Sequence, residues 1–336
     1  MKKKILITGA NGFIGSSVVD KALTLNYEVW AGVRATSNRQ YLQDKNIKFI
    51  ELDYSNKSNL KAQLQEINDT IGGFDYIVHL AGVTKAVSKS DFYHVNYFQF
   101  RNLVESLIET NSVPSLFVFM STLGVLGLGD EINHTPFNQH SIPNPNTEYG
   151  KSKLEAENFL KGISQFPYLI IRPTGVYGPR DRDYLILMRA VKSGLSVGAG
   201  FRKQLLSFIY IDDLTQIIFE AIDRGVSQKI YNVSDGYGYT DKEFNNLVKQ
   251  NLGKRSVLRF KLPLSIVKIA ARINGTIAKM SNKPTTFNSD KYWIMRQRNW
   301  MCDISELKKD LDFTPKYLLE EGVAKTVKWY KDNGWL

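Results

Sequence analysis

The chain has 336 residues, 43% of them hydrophobic, with one cysteine (Cys302), four histidines and a formal net charge of +11. That suffices for one large α/β domain or two domains; a lone cysteine excludes an intrachain disulfide or a cysteine-built metal cluster, and histidines without ligand-like spacing point to no bound metal. The opening lysines precede too short an apolar run for a signal peptide, and no uninterrupted apolar stretch of roughly 18 residues occurs, so a cytoplasmic protein without membrane association is expected.

In chain order, the first apolar run, KKILIT (3–8), reads as a strand that breaks into Gly9, Gly12 and Gly15 before a helical stretch over 15–25. A nucleotide pyrophosphate can sit at a helix N-terminus only where bare backbone lets it approach. Gly9 permits the tight turn, Gly12 the close approach and Gly15 the packing of helix on strand. The turn, with Phe13 and Ile14, is therefore predicted to bind a dinucleotide.

The second strand, YEVWAGV (27–33), runs into Arg34, followed by Thr36, Ser37 and Arg39 with no carboxylate among them. An acidic residue there holds the ribose 2′-hydroxyl of NAD, whereas arginine suits a 2′-phosphate. NADP is the expected cofactor and NAD the alternative; a plain surface role for Arg34 is the bland reading. The third strand, IKFIEL (47–52), ends at Asp53 and Tyr54, where Asp53 serves either the adenine amine or only a turn.

Strands at DYIVHLA (75–81), LFVFMS (116–121) and YLIIR (168–172) follow, with helical stretches over 97–110 and 151–162 between them. Their near-continuous apolar character implies burial on both faces, as in a parallel sheet covered by helices. EYGKSK (148–153) places Tyr149 and Lys153 four residues apart, hence on one helix face. An ammonium beside a phenol stabilises the phenolate and lowers its pKa from about 10. Tyr149 is thereby expected to act as general acid and base at a carbinol or carbonyl oxygen. The hydroxyl of Thr122 or Ser121, at the end of the fifth strand, can bond the same oxygen, and hydride exchange with a nicotinamide completes the reaction.

After residue 172 the rhythm loosens. RPTGVYGPRDRD supplies turns, SFIYIDDL adds a strand running into a helix, and from residue 239 helices surround a basic loop. The reading is a doubly wound α/β dinucleotide-binding domain over residues 1–175, rejoined by about 206–232, with a smaller, mostly helical substrate domain from 176–205 and 233–336.

Residues 249–309 hold fourteen Lys and Arg against Asp290, Asp303 and Glu306, so this segment carries the whole excess of eleven charges. A locally positive surface for an anionic ligand or membrane headgroups is implied, and no nucleic acid; an ordinary solvated surface is the bland alternative. Within it, LPLSIVKIAARINGTIAKM (262–280) puts Ile266, Ile269, Ala270, Ile273 and Ile277 on one helix face, with Lys268, Arg272 and Lys279 elsewhere. That face is expected to pack as a cap over the substrate cleft; a membrane-surface helix and an anion site are the other readings.

TGANGFIG, HLAG (79–82), Ser121 with Thr122, YGKSK and RPTGVYGP (172–179) stand in the order and approximate spacing of the extended short-chain dehydrogenase/reductases, the NAD-dependent epimerase/dehydratase family. The chain resembles them over essentially its whole length. The resemblance implies a Rossmann-type fold with a C-terminal substrate domain, and a homodimer. It implies Thr122 as the catalytic hydroxyl, Tyr149 as general acid/base, and Lys153 as the lysine that lowers its pKa and holds the nicotinamide ribose. It also implies Ala81 and Gly82 beside the cofactor, Asp53 at the adenine, and Pro173, Thr174, Gly175 and Val176 against the nicotinamide carboxamide. Arg34 matches the 2′-phosphate arginine of members similar to dihydroflavonol reductases.

Three polar handles of the nucleotide-sugar branch are missing. Gly175 stands where those members have asparagine, Leu206 and Ser207 where they have Arg-Asp, and Leu123 and Gly124 where their dehydratases have Asp-Glu. The main expectation is therefore an NADP-dependent oxidoreductase interconverting a carbonyl and an alcohol on a small apolar or anionic substrate. The alternative is a nucleotide-sugar epimerase or dehydratase that retains and recycles NAD(P).

Overall fold

The computed structural model describes residues 2–336. In chain order its elements are β1 (Lys4–Thr8), α1 (Phe13–Thr24), β2 (Glu28–Gly32), β3 (Lys48–Ile50), α2 (Lys57–Ile71), β4 (Tyr76–His79), α3 (Lys89–Tyr93), α4 (Phe100–Glu109), β5 (Leu116–Met120), α5 (Glu148–Lys161) and β6 (Tyr168–Pro173). They continue as β7 (Gly175–Tyr177), α6 (Asp183–Lys192), β8 (Leu195–Ala199), β9 (Phe208–Tyr210), α7 (Ile211–Asp223), β10 (Lys229–Val233), α8 (Asp241–Asn251), β11 (Leu258–Leu262), α9 (Leu264–Met280), α10 (Ser289–Arg296), α11 (Ser305–Leu311) and α12 (Leu319–Asp332). Two compact units result. The first comprises Met1–Thr122, Lys151–Ile171 and Thr215–Ile230, the second Leu123–Gly150, Arg172–Leu214 and Tyr231–Leu336.

A seven-stranded sheet runs in the order β10-β6-β5-β4-β1-β2-β3, and its ladders from β3 to β6 are parallel. All five residues of β5, LFVFM, are buried, as the two-sided covering of a parallel sheet requires. From β1 the chain moves out through β2 to β3, then returns to the other side of β1 with β4. The carboxyl ends of β1 and β4 therefore flank the switch point at which open α/β sheets bind ligands. Under this edge Phe100, Phe117 and Phe119 pack with Leu60, Leu64 and Leu103 in one buried cluster; the Phe100 and Phe119 rings lie 4.5 Å apart.

One buried polar group ties β1 to β4. The Leu80 and Ala81 N–H groups donate to Thr8 Oγ1 at 3.2 and 3.1 Å, which fills its lone pairs and leaves its own proton for His79 Nδ1, 3.1 Å away. His79 is thus an acceptor at Nδ1 and carries its proton on Nε2. Its ring stacks on Phe117 and Phe119; burial, and secondarily the Lys153 ammonium, holds its pKa down to about 3.

The second unit contains two small parallel ribbons, β7 with β9 and β8 with β11. Phe208–Tyr210 thus ladders with β7, and only Thr215–Ile230 of the later segment joins the first unit. Asp213, fully buried, accepts the Lys316 and Tyr317 N–H groups. Helix α9 packs Val267 and Ala271 against Tyr292 of α10, with Leu264 and Trp293 at the margin. The face expected to pack, with Ile266, Ile269, Ala270, Ile273 and Ile277, is instead exposed. The buried positions of the helix are Val267, Ala271 and Ala278, on the opposite face.

His79 makes the fold acid-sensitive in a defined window. Unfolded, it titrates near 6.5; folded, near 3. Between these values the unfolded chain binds the extra proton, so stability is intact above 6.5 and falls as the pH drops towards 3, by about 1.4 kcal/mol per pH unit from this group. Denaturant midpoints followed from about pH 6 to 4 should fall less steeply for His79→Asn than for the parent; parallel profiles would refute the assignment.

Candidate active site

The turn after β1 is shaped by backbone contact. Gly9 has φ +65°, and a Cβ there would lie 2.9 Å from the Ala81 nitrogen. A Cβ on Gly15 would lie 2.1 Å from the Gly9 oxygen. Gly12 is exposed, and its Cβ would meet only the Gly9 oxygen, at 3.2 Å. Helix α1 starts there with no side-chain cap and no acid in its first turn. Its leading N–H groups, with half-buried Phe13 and Ile14, form an uncapped positive end behind bare backbone. That cradle fits a dinucleotide pyrophosphate.

Beyond β2 the turn is closed by reciprocal bonds, Arg34 N–H to Ser37 Oγ at 3.0 Å and Ser37 N–H to the Arg34 oxygen at 2.9 Å. Arg34 and Thr36 are exposed. Arg39 stacks 4.4 Å from the Phe49 ring and lies 3.5 Å from Glu51, a carboxylate that β3 brings alongside from outside the local sequence. Asp53 accepts Ser55 Oγ at 2.6 Å, Ser55 N–H at 3.2 Å and Asn59 Nδ2 at 3.2 Å. These bonds hold its carboxyl below the usual range and occupy it in its own turn. The Tyr54 and His79 rings meet edge to face with their centroids 6.4 Å apart.

After β4, Ala81 is fixed by its bond to Thr8 and Gly82 by Asn96, whose Oδ1 a Cβ at 82 would meet at 2.9 Å. Asn96 is a residue the sequence reading passed over. Buried in a π-helical turn, His94–Gln99, it accepts Val83 N–H at 2.8 Å and donates to the Val83 oxygen and to Ser152 Oγ, both at 3.0 Å. It pins the cofactor-side loop to α5. Its sequence neighbours gave no signal, since Gln99 and Asn102 follow it in the same stretch; the π-helical turn, a frequent mark of function, is visible only in the fold.

At the end of β5 the two hydroxyls separate in role. Ser121 Oγ, buried, donates to Glu157 Oε1 at 2.5 Å, whereas Thr122 is half-buried. Lys153, 5% exposed, holds its ammonium 4.0 Å from the Phe119 ring centre. Burial pushes its pKa down to about 7 against the opposing pull of Glu157, one turn further along α5. Tyr149, one turn before Lys153, has its N–H held by Asp290 Oδ2 at 3.0 Å. Burial pushes its phenol up to about 12, which corrects the expected acidification. Removing both groups from water disfavours the phenolate and the ammonium alike, and desolvation dominates both.

In the second unit Pro173 is buried, and Thr174 N–H donates to the Val233 oxygen at 3.0 Å. Val176 lies in β7. Gly175 suits its surroundings, since a Cβ there would fall 2.1 Å from the Tyr184 hydroxyl and displace that side chain. Tyr184 occupies the space an asparagine at 175 would need.

A profile of the NAD dependent epimerase/dehydratase family matches residues 5–234. The UDP-glucose 4-epimerase of Vibrio cholerae is 27% identical over 98% of this chain and 95% of its own length. The N-acetyl-alpha-D-glucosaminyl-diphospho-ditrans,octacis-undecaprenol 4-epimerase of Escherichia coli O157:H7 is 26% identical, with 98% and 96% covered. Among solved structures, the Bordetella bronchiseptica enzyme WbmG in complex with NAD and UDP has a TM-score of 0.78 at 19% identity, covering 100% of this chain and 97% of that one, a likeness of fold. No helix among the described residues is long and apolar enough to cross a membrane. With the family profile spanning more than half of the sequence, and the glycine turn and Tyr149–Lys153 helix in place, the chain belongs to the NAD-dependent epimerase/dehydratase family and is an enzyme of the extended short-chain dehydrogenase/reductase type.

Proposed function

We propose that the enzyme epimerises a secondary alcohol of a diphosphate-linked sugar, oxidising it to a ketone and reducing it again before release. The observation that carries this is at the end of β5. The half-buried Thr122 hydroxyl is followed by Leu123, 1% exposed, and Gly124. Tools for oxidation and reduction are thus retained without the carboxylate pair that eliminating water demands. This disfavours the dehydratase half of the alternative, and relatives named as 4-epimerases of UDP-glucose and of an undecaprenol-diphospho sugar favour epimerase over simple reductase.

In this reading Thr122 Oγ donates a hydrogen bond to the reacting substrate oxygen, and Tyr149, once deprotonated against the burial that favours its neutral form, takes the proton of the substrate hydroxyl as a phenolate and returns it as a phenol. Lys153 stands one helical turn away as the cation that supports the deprotonated phenol. Ser121 is engaged by Glu157, and Glu157 favours the charged form of Lys153. Gly9, Gly12, Phe13, Ile14 and Gly15 would hold the cofactor pyrophosphate, Ala81 and Gly82 the middle of the dinucleotide, and Pro173, Thr174, Gly175 and Val176 its nicotinamide end. When bound, the nicotinamide supplies the hydride acceptor and donor. Arg34, exposed in a turn without acidic residues, supports NADP as the bound form. With Asp53 engaged locally, we assign no separate adenine selectivity to it. A homodimer is the assembly we infer from the family resemblance.

Incubation with UDP-sugars and catalytic cofactor should give the epimer with no net change in nicotinamide absorbance; stoichiometric cofactor consumption would instead support the simple reductase. Tyr149→Phe should lower turnover by about 10² to 10⁴ with cofactor affinity little changed, and retained turnover would remove Tyr149 from the chemistry. NADP⁺ should bind more tightly than NAD⁺ in a fluorescence titration, with Arg34→Asp reversing the order. Equal affinities in the parent would sink the NADP assignment.

A further inference from the structure

The second unit carries an apolar surface that nothing in the fold covers. On α9, Ile266, Ile269, Ile273, Ile277 and Met280 are between 51% and 83% exposed. At 100° per residue they form one stripe, nearly opposite the packed face of Val267, Ala271 and Ala278. Exposed Arg272 and Lys279 fall together on the flank beside that stripe, while Lys268 is half-buried with its ammonium 6.0 Å from the Tyr292 ring. The ribbon that leads into α9 repeats the pattern with a strand period. Leu258, Phe260 and Leu262 of β11 are 37% to 60% exposed and stand in register with Leu195, Val197 and Ala199 of β8, while Arg259 and Lys261 point to the other face. Only Pro263 separates ribbon from helix. No Asp or Glu occurs between Lys249 and Asp290.

We propose that this face docks the enzyme onto an anionic lipid surface, with α9 lying in the plane of the headgroups and the ribbon beside it. The inference stands on the surface alone and does not rest on the epimerase reading. Helix α9, 17 residues and about 26 Å long, is too short and too charged to span a bilayer. A basic flank along an apolar stripe is the pattern of a helix that lies on one. A second copy of the chain is the poorer occupant, because the flanks of two such faces would bring like charges together with no carboxylate in the segment to offset them. Lipid headgroups supply the missing negative charge, and the acyl boundary receives the isoleucines.

The test is co-sedimentation of the full chain with phosphatidylcholine vesicles, with and without phosphatidylglycerol. Binding should require phosphatidylglycerol and weaken with salt. Arg272→Glu with Lys279→Glu should lower the partition coefficient about 25-fold or more, at roughly fivefold per basic side chain removed. Ile269→Glu with Ile273→Glu, both at exposed positions, should lower it at least about tenfold while thermal midpoint and cofactor binding stay at parent values. Three results would overturn the proposal: no binding to phosphatidylglycerol vesicles; equal binding by the parent and the isoleucine variant; or a parent dimer that the isoleucine variant converts to monomer without any vesicle binding, which would make the face a seam between copies.

Discussion

The nucleotide-binding half of the molecule depends on how closely one helix approaches one turn. The ideal Cβ of residue 15 would sit 2.1 Å from the Gly9 oxygen, so α1 can rest on the turn only while position 15 is bare. From that seat its uncapped end projects over β1, and the left-handed Gly9 sends the chain around without a side chain against Ala81. Thr8 fixes the other wall by holding Leu80, Ala81 and His79 at once. The two walls are set by backbone distances and one saturated hydroxyl. A chain with these contacts therefore comes to its ligand already shaped, and little binding energy is lost to ordering.

Behind the catalytic helix lies a buried polar chain. Lys153, Glu157 and Ser121 are all within the first unit, each nearly out of water, with Ser121 donating to Glu157 and Glu157 raising the affinity of Lys153 for its proton. A buried charge without a partner is far more costly than a paired one. Glu157 is best understood as the group that lets an ammonium persist at this depth at all, and Ser121 as the group that keeps Glu157 aimed. The adjacent hydroxyls at 121 and 122 look interchangeable in sequence, yet one is committed to the interior.

The architecture was legible because parallel strands advertise themselves as short uninterrupted apolar runs. KILIT, EVWAG, YIVH, LFVFM and YLIIRP form strands within a residue or two of their expected ends. The glycine turn was legible because its cause is local. What escaped depends on partners distant in sequence. Glu51 reaches Arg39 across a strand pair, Asn96 reaches Ser152 across 56 residues, and the burial that keeps the Tyr149 phenol protonated is a property of the surrounding shell. Helix α9 misled for a different reason. Its strongest apolar stripe is exposed, while Val267, Ala271 and Ala278 are buried, and hydrophobic periodicity registers many large side chains more readily than one valine and two alanines.

Gly175 and Tyr184 constrain how this chain can diverge. An asparagine at 175 would meet a phenol oxygen where its own Cβ must go, so the exchange requires the Tyr184 side chain to move, and loss of Tyr184 alone would open a void beside Phe208 and Phe244. A change at either position is therefore felt at the other.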